Sequence, residues 1–167
     1  MQFIFTLMEE ADAHEINTWR YAEPYAVYNI DAAAEDDPAE LLDRRSPYYA
    51  VCDETGALVG YFCYGTSAQV WQSETPGLYS EDATIDIGLG MRPDLTGKGL
   101  GLTWVNAGLD FARENFQPRT FRLVVLTFNE RAIRVYERAG FARVRVFTQK
   151  NIYGERDFLE MKREAGM

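Results

Sequence analysis

Residues 84–101, TIDIGLGMRPDLTGKGLG, constrain the fold of this chain more than any other stretch. Ile85, Ile87 and Leu89 alternate with Asp86, Gly88 and Gly90, the two-residue period of a strand with two different faces. Pro93-Asp94 marks a turn. Gly97, Gly99 and Gly101 then fall at alternate positions. Leu102, Val105, Leu109, Ala112 and Phe116 follow at the three- and four-residue steps of a helix. A strand, a tight glycine-rich turn and a helix start make a good anion site. Glycine lets the backbone fold back closely, and the first helical amides have no partner inside the helix. Those N–H groups can face a phosphate. The plainer alternative is that the glycines only permit the turn.

Two familiar phosphate signatures are excluded. The loop is not GxxxxGK[ST], because Gly99 and Leu100 follow Lys98. It is not GxGxxG either, and no early N-terminal βαβ unit carries it.

The rest of the chain frames this stretch. At 167 residues, one domain over 1–167 is expected. Apolar runs fall far short of the roughly 20 residues a membrane span requires, and the opening MQFIFTLMEE lacks the basic start of a signal peptide. A cytoplasmic location without membrane contact is the default. The formal charge of −9 argues against nonspecific nucleic-acid binding and suits a cationic or amine-bearing partner. Cys52 and Cys63 fall in expected strands and read as buried thiols; with a single histidine in the chain, no zinc site is expected.

In order, Phe3, Phe5 and Leu7 alternate as a first strand, and Glu9 to Tyr21 read as a helix with an acidic start. WRYAEPYAVYNI follows, carrying Trp19, Tyr21, Tyr25 and Tyr28. These rings are either core packing or the wall of an acceptor pocket, where aromatic faces suit an ammonium group. An acidic linker and a short helix starting near Asp37-Pro38 lead into strands around YYAVCD and Leu58–Tyr64, joined by a turn at Glu54-Thr55-Gly56. Residues 65–83 carry Trp71 and Glu81 in a long Ser-, Thr- and Gly-rich segment, either a substrate-cleft lid or a long hairpin crossover, its length favouring the functional reading. Beyond the central stretch, Arg119 to Phe128 read as a buried strand, parallel to the 84–91 strand through a right-handed crossover. Asn129 or Thr127 caps a helix of 130–139 that Gly140 stops. Phe141 to Gln149 and Glu155 to Lys162 close the chain as a hairpin. The order predicts an α/β fold with one mixed sheet and helices on both faces.

Two motifs now stand together: MRPDLTGKGLG, then Asn129-Glu130-Arg131-Ala132 with Tyr136-Glu137-Arg138-Ala139-Gly140-Phe141. In this order and spacing they resemble the GNAT superfamily of acyl-CoA-dependent N-acetyltransferases, over about residues 50 to 145. The family's pyrophosphate loop, [Gln/Arg]-x-x-Gly-x-[Gly/Ala], lands on Thr96, Gly99 and Gly101. Thr96 departs from Gln or Arg, a change expected to tune affinity, since that loop grips mainly through backbone amides.

The resemblance implies a splayed pair of parallel central strands opening a V-shaped cleft for acetyl-CoA. It implies direct transfer of an acetyl group to a primary amine, on a small molecule or on a protein or peptide. Thr96, Gly97, Lys98, Gly99, Leu100 and Gly101 would hold the pyrophosphate. Leu89, Gly90 and Met91 would hold the pantetheine arm and the thioester carbonyl, with one N–H stabilising the developing oxyanion. Tyr136 matches the tyrosine that protonates the leaving thiolate in many relatives; its ordinary pKa is within about 1.5 units of an alkylthiol's. Asn129 would touch the pantetheine, or act as a plain helix cap. For the base that takes the ammonium proton, the sequence itself offers Asp86 first, an acid opposite Ile85 and Ile87 on the central strand, with Glu81 and Asp82 just before that strand as runners-up; each could instead be a surface acid. A homodimer stays open. The competing expectation is an acyl-CoA-binding sensor without turnover.

Overall fold

The structure, a computed structural model, describes residues 1–30, 39–70, 78–79, 83–151 and 154–166. The chain divides into two compact units. Met1–Ser67 with Leu89–Leu100 form the first, and Ala68–Gly88 with Gly101–Met167 the second.

The first unit contains β1 (Ile4–Leu7), α1 (Glu10–Asn17), a 3-10 turn (Tyr25–Tyr28), α2 (Ala39–Leu42), β2 (Tyr48–Cys52) and β3 (Leu58–Tyr64). β1 and β2 pair antiparallel from Ile4↔Cys52 to Leu7↔Tyr49, and β2 and β3 from Tyr48↔Cys63 onward. Asp53 makes the β2–β3 turn: its carboxylate accepts from the Thr55 and Ala57 amides, and Gly56 supplies a φ of 88°. α1 is shorter than the expected Glu9–Tyr21. The Thr18 hydroxyl donates to the Glu15 carbonyl at 2.6 Å, and a short Ser/Thr side chain competing for the backbone in this way closes the helix. Met8, Ala13, Ile16, Val51, Val59 and Phe62 form the core of this unit. Cys63 is buried there, while Cys52 is only half-buried.

The second unit contains the start of β4 (Thr84–Met91), α3 (Gly101–Phe116), β5 (Thr120–Leu126), α4 (Glu130–Arg138), β6 (Ala142–Asn151) and β7 (Gly154–Glu164). β4 and β5 are parallel, as the crossover predicts, pairing at Thr84↔Thr120, Ile85↔Phe121 and Asp86↔Arg122. That ladder ends there although both strands run on, so they part inside this unit beyond Asp86. β7 lies antiparallel between β5 and β6. Strands follow the hydrogen-bonded order β1-β2-β3-β4-β5-β7-β6, a mixed α/β sheet.

α3 buries Trp104, Val105, Gly108, Leu109 and Ala112. Its inward stripe is thus rotated from the expected Leu102–Phe116 line, and Phe116 is 40% exposed. Trp104 and Gly108 complete the stripe, and neither stands out by hydrophobic period alone. α4 starts on Asn129, whose side chain accepts from the Ala132 amide at 3.2 Å. It stops at Gly140, where φ is 95°, the Phe141 amide returns to the Tyr136 carbonyl and the Gly140 amide to Glu137.

Candidate active site

The glycine-rich loop leaves β4 through a 3-10 turn, Pro93–Leu95. Thr96 closes that turn. Its amide and its hydroxyl both donate to the Pro93 carbonyl, the hydroxyl at 2.7 Å, so the side chain is spent inside the loop. Gly97 and Gly99 have φ of 72° and 79°, left-handed conformations that glycine adopts without strain. A Cβ added to Gly99 would meet no atom of the described residues within 4 Å, so among them the backbone there is open on the side a side chain would occupy. Lys98 is exposed and Leu100 half-buried. Gly101 begins α3 in the second unit. A Cβ there would come within 2.9 Å of Val135, so the start of α3 packs against α4 with no room for a side chain. A sixteen-residue helix beginning on glycine offers free amides to an anion.

The strand end that leads into the loop is braced from several sides within the first unit. Gly90 lies under the ring of Tyr61; an added Cβ would come within 2.6 Å of the Tyr61 hydroxyl oxygen. Tyr61 itself stacks on Trp19, with ring centroids 6.4 Å apart, and packs against Tyr48 at 6.0 Å. Tyr21 donates its phenol proton to the Met91 carbonyl at 2.6 Å. On the other side of that peptide, the Arg92 amide donates to the Val59 carbonyl at 2.8 Å. The Arg92 guanidinium reaches the Leu58 carbonyl and pairs with Asp94.

These contacts divide the aromatic segment. Trp19 is buried as a packing ring and Tyr21 is tied to the strand end. Tyr25 and Tyr28 sit on the 3-10 turn, with Tyr28 39% exposed. Trp71 and Glu81 lie outside the described residues.

In the second unit, Asp86 has no room for solvent chemistry. It is 4% exposed and its carboxylate is held by Arg122 through two hydrogen bonds, at 2.5 and 2.9 Å, and by the Gln69 side-chain amide at 2.9 Å. The Tyr79 ring covers the Arg122 guanidinium at 4.9 Å. Further along the same sheet face, buried Glu160 accepts from Arg145 at 3.2 Å, with the Lys162 ammonium 3.7 Å away. This row of opposed charges was invisible in the sequence because its members lie on four separate strands. The alternation sets Asp86 opposite Ile85 and Ile87, and the register of the β5 partner decides what that carboxylate meets.

Tyr136 is half-buried on α4, edge-on to Phe141 with centroids 6.2 Å apart. Asn129 serves as the helix cap, one of the two roles expected of it.

A mixed sheet whose parallel central strands part, followed by a glycine-rich loop that opens a helix, defines an α/β acyltransferase architecture. The acetyltransferase (GNAT) family model matches residues 11–141, and the chain belongs to that family, a family of acyltransferases. A mycothiol acetyltransferase from Propionibacterium freudenreichii subsp. shermanii is 35% identical over 106 residues, which make up 64% of this chain and 28% of that protein. The chain therefore matches under a third of that relative's length. A chimera of the spermidine N-acetyltransferase SpeG from Vibrio cholerae and hSSAT has the same fold, with a TM-score of 0.71 at 18% identity over 99% of this chain and 96% of its own. The Vibrio cholerae spermidine N-acetyltransferase solved with CoA and spermine gives a TM-score of 0.67 at 20% identity, over 98% and 96%. At these identities the two structures bear on the fold alone.

Proposed function

We propose that residues 1–167 act as one N-acetyltransferase domain that moves an acetyl group from acetyl-CoA to a primary amine. Family membership supports the reaction class. The observation that carries the cofactor is the loop: left-handed Gly97 and Gly99, open space at Gly99, and a long helix beginning at Gly101. These features fit a pyrophosphate held by backbone amides. The Thr96 side chain, turned back onto Pro93, leaves that grip to the backbone, so its departure from Gln or Arg removes a side-chain contact and keeps the amides.

When bound, acetyl-CoA supplies an activated acyl group and a good leaving thiolate. The chain's own residues supply the rest. Gly97, Lys98, Gly99, Leu100 and Gly101 anchor the phosphates. Leu89, Gly90 and Met91 orient the arm, and an N–H of this strand end stabilises charge developing on the acyl oxygen. Tyr136 donates its phenol proton to the departing sulfur. Asn129 fixes the start of the helix that carries Tyr136.

Glu81 is the acid we assign to the ammonium proton, directly or through water. The occupied carboxylate of Asp86 favours this choice, because a base already paired with a guanidinium and an amide has little left to offer an acceptor. Tyr25 and Tyr28, on the 3-10 turn, are the aromatic residues we assign to the amine. The acceptor is a cationic amine, a small molecule or a protein or peptide amine, in keeping with the charge of −9. A polyamine, a small multiply charged cation, is the first to try against so acidic a chain.

The test is amine-dependent release of free CoA thiol from acetyl-CoA, with spermidine, amino sugars and peptides as acceptors. Tyr136→Phe is expected to lower kcat by about 100-fold, within the range a general acid contributes, while the acetyl-CoA Kd stays unchanged. Full kcat in that variant would remove Tyr136 from the chemistry.

A further inference from the structure

The hydroxyl of Tyr21 does something the sequence did not suggest. It donates to the Met91 carbonyl at 2.6 Å, and the same peptide unit is held from its other side by the Arg92 amide on the Val59 carbonyl at 2.8 Å. Rotation of that peptide would break both bonds at once. The clamp is itself fixed: the Tyr21 amide donates to the Asn29 side-chain oxygen at 2.6 Å, and the Asn29 amide group donates back to the Tyr21 carbonyl at 3.3 Å. A ring held at its backbone and at its hydroxyl is fixed in place.

We propose that Tyr21 is a positioning residue for acyl transfer, locking the Met91–Arg92 peptide so that the adjoining N–H groups of the strand end keep one direction. The proposal rests on the assignment of Leu89–Met91 to the acyl arm and oxyanion. Its physical basis is preorganisation. A donor aimed in advance at developing charge costs no reorganisation at the moment of reaction, and a misplaced one loses most of its value. Burial pushes the Tyr21 phenol up to about 12. It therefore stays protonated and donating at any working pH, and it is excluded as a proton acceptor. The role differs from an acceptor wall, which would act on amine binding.

The two roles separate in the kinetics of Tyr21→Phe, which keeps the ring and removes one hydroxyl. A positioning role lowers kcat and kcat/KM together by about tenfold, leaving the amine KM and the acetyl-CoA Kd within about twofold of the parent chain. Amide hydrogen exchange is expected to quicken at Met91 and Arg92 and to stay unchanged in α4. Asn29→Ala, which frees the backbone of Tyr21, is expected to lower kcat in the same direction. Unchanged kcat in Tyr21→Phe overturns the proposal, and so does a raised amine KM at constant kcat. If the parent chain neither binds acetyl-CoA nor releases CoA, the assignment of the strand end fails first and takes the proposal with it; the exchange data distinguish that case from a peptide that was never clamped.

Discussion

Asp86 shows how a residue's role turns on its neighbour. Alternation along TIDIGLGM puts an acid on one strand face, and an acid near a cleft reads as a base. Its partner Arg122 lies 36 positions away, and only parallel register at Asp86↔Arg122 brings the two together. Breaking a buried pair by removing one charge leaves the other uncompensated, whereas replacing both is far gentler. Asp86→Asn is therefore expected to lower the unfolding free energy by about 3–5 kcal/mol, read by urea denaturation. A loss below about 1 kcal/mol, the range of exposed pairs, would contradict the buried assignment. If Glu81 is the base proposed above, Glu81→Gln is expected to depress the rising limb of the pH–rate profile, which reports the essential base.

Elements were legible where local chemistry decides them. The β4 strand, the cap at Asn129, the stop at Gly140 and the terminal hairpin all follow from short-range signals, and the structure has them. Long-range packing decided the rest. α3 buries Trp104 and Gly108 beside Val105, Leu109 and Ala112, and α1 stopped early because Thr18 bonds back to Glu15. The aromatic segment was the least determined. Four rings within ten residues fit a core or a wall equally well, until Tyr61 and Met91, far along the chain, took Trp19 and Tyr21. Gly90 carries a matching prediction. Gly90→Ala forces its Cβ into a Tyr61 ring that Trp19 and Tyr48 hold in place, so overpacking should cost about 1–3 kcal/mol and weaken acetyl-CoA binding. Equal stability and affinity in that variant would mean the strand end has slack.

For the molecule as a whole, buried phenols set an upper pH limit. Burial is the main cause raising Tyr21, Tyr48, Tyr64 and Tyr79, and Tyr21 reaches about 12. An unfolded tyrosine ionises near pH 10. The stability these neutral rings contribute is complete below that pH and is lost as pH rises through the higher folded values. Melting temperature should thus hold steady to about pH 10 and fall beyond it; constancy to pH 12 would show the phenols are solvated. The charge of −9, the family match over 11–141 and the open glycine loop are the observations on which the proposed acetyl-CoA-dependent N-acetyltransferase rests. Thermal denaturation with and without acetyl-CoA tests that directly. Ligand at 100 times its Kd stabilises a native state by about 2.7 kcal/mol, which for a chain of this size raises the melting temperature by roughly 5–10 °C. Such a rise, shared by free CoA and absent with adenine alone, is the expected result. An unmoved transition at millimolar acetyl-CoA would contradict the loop assignment and the acetyltransferase with it.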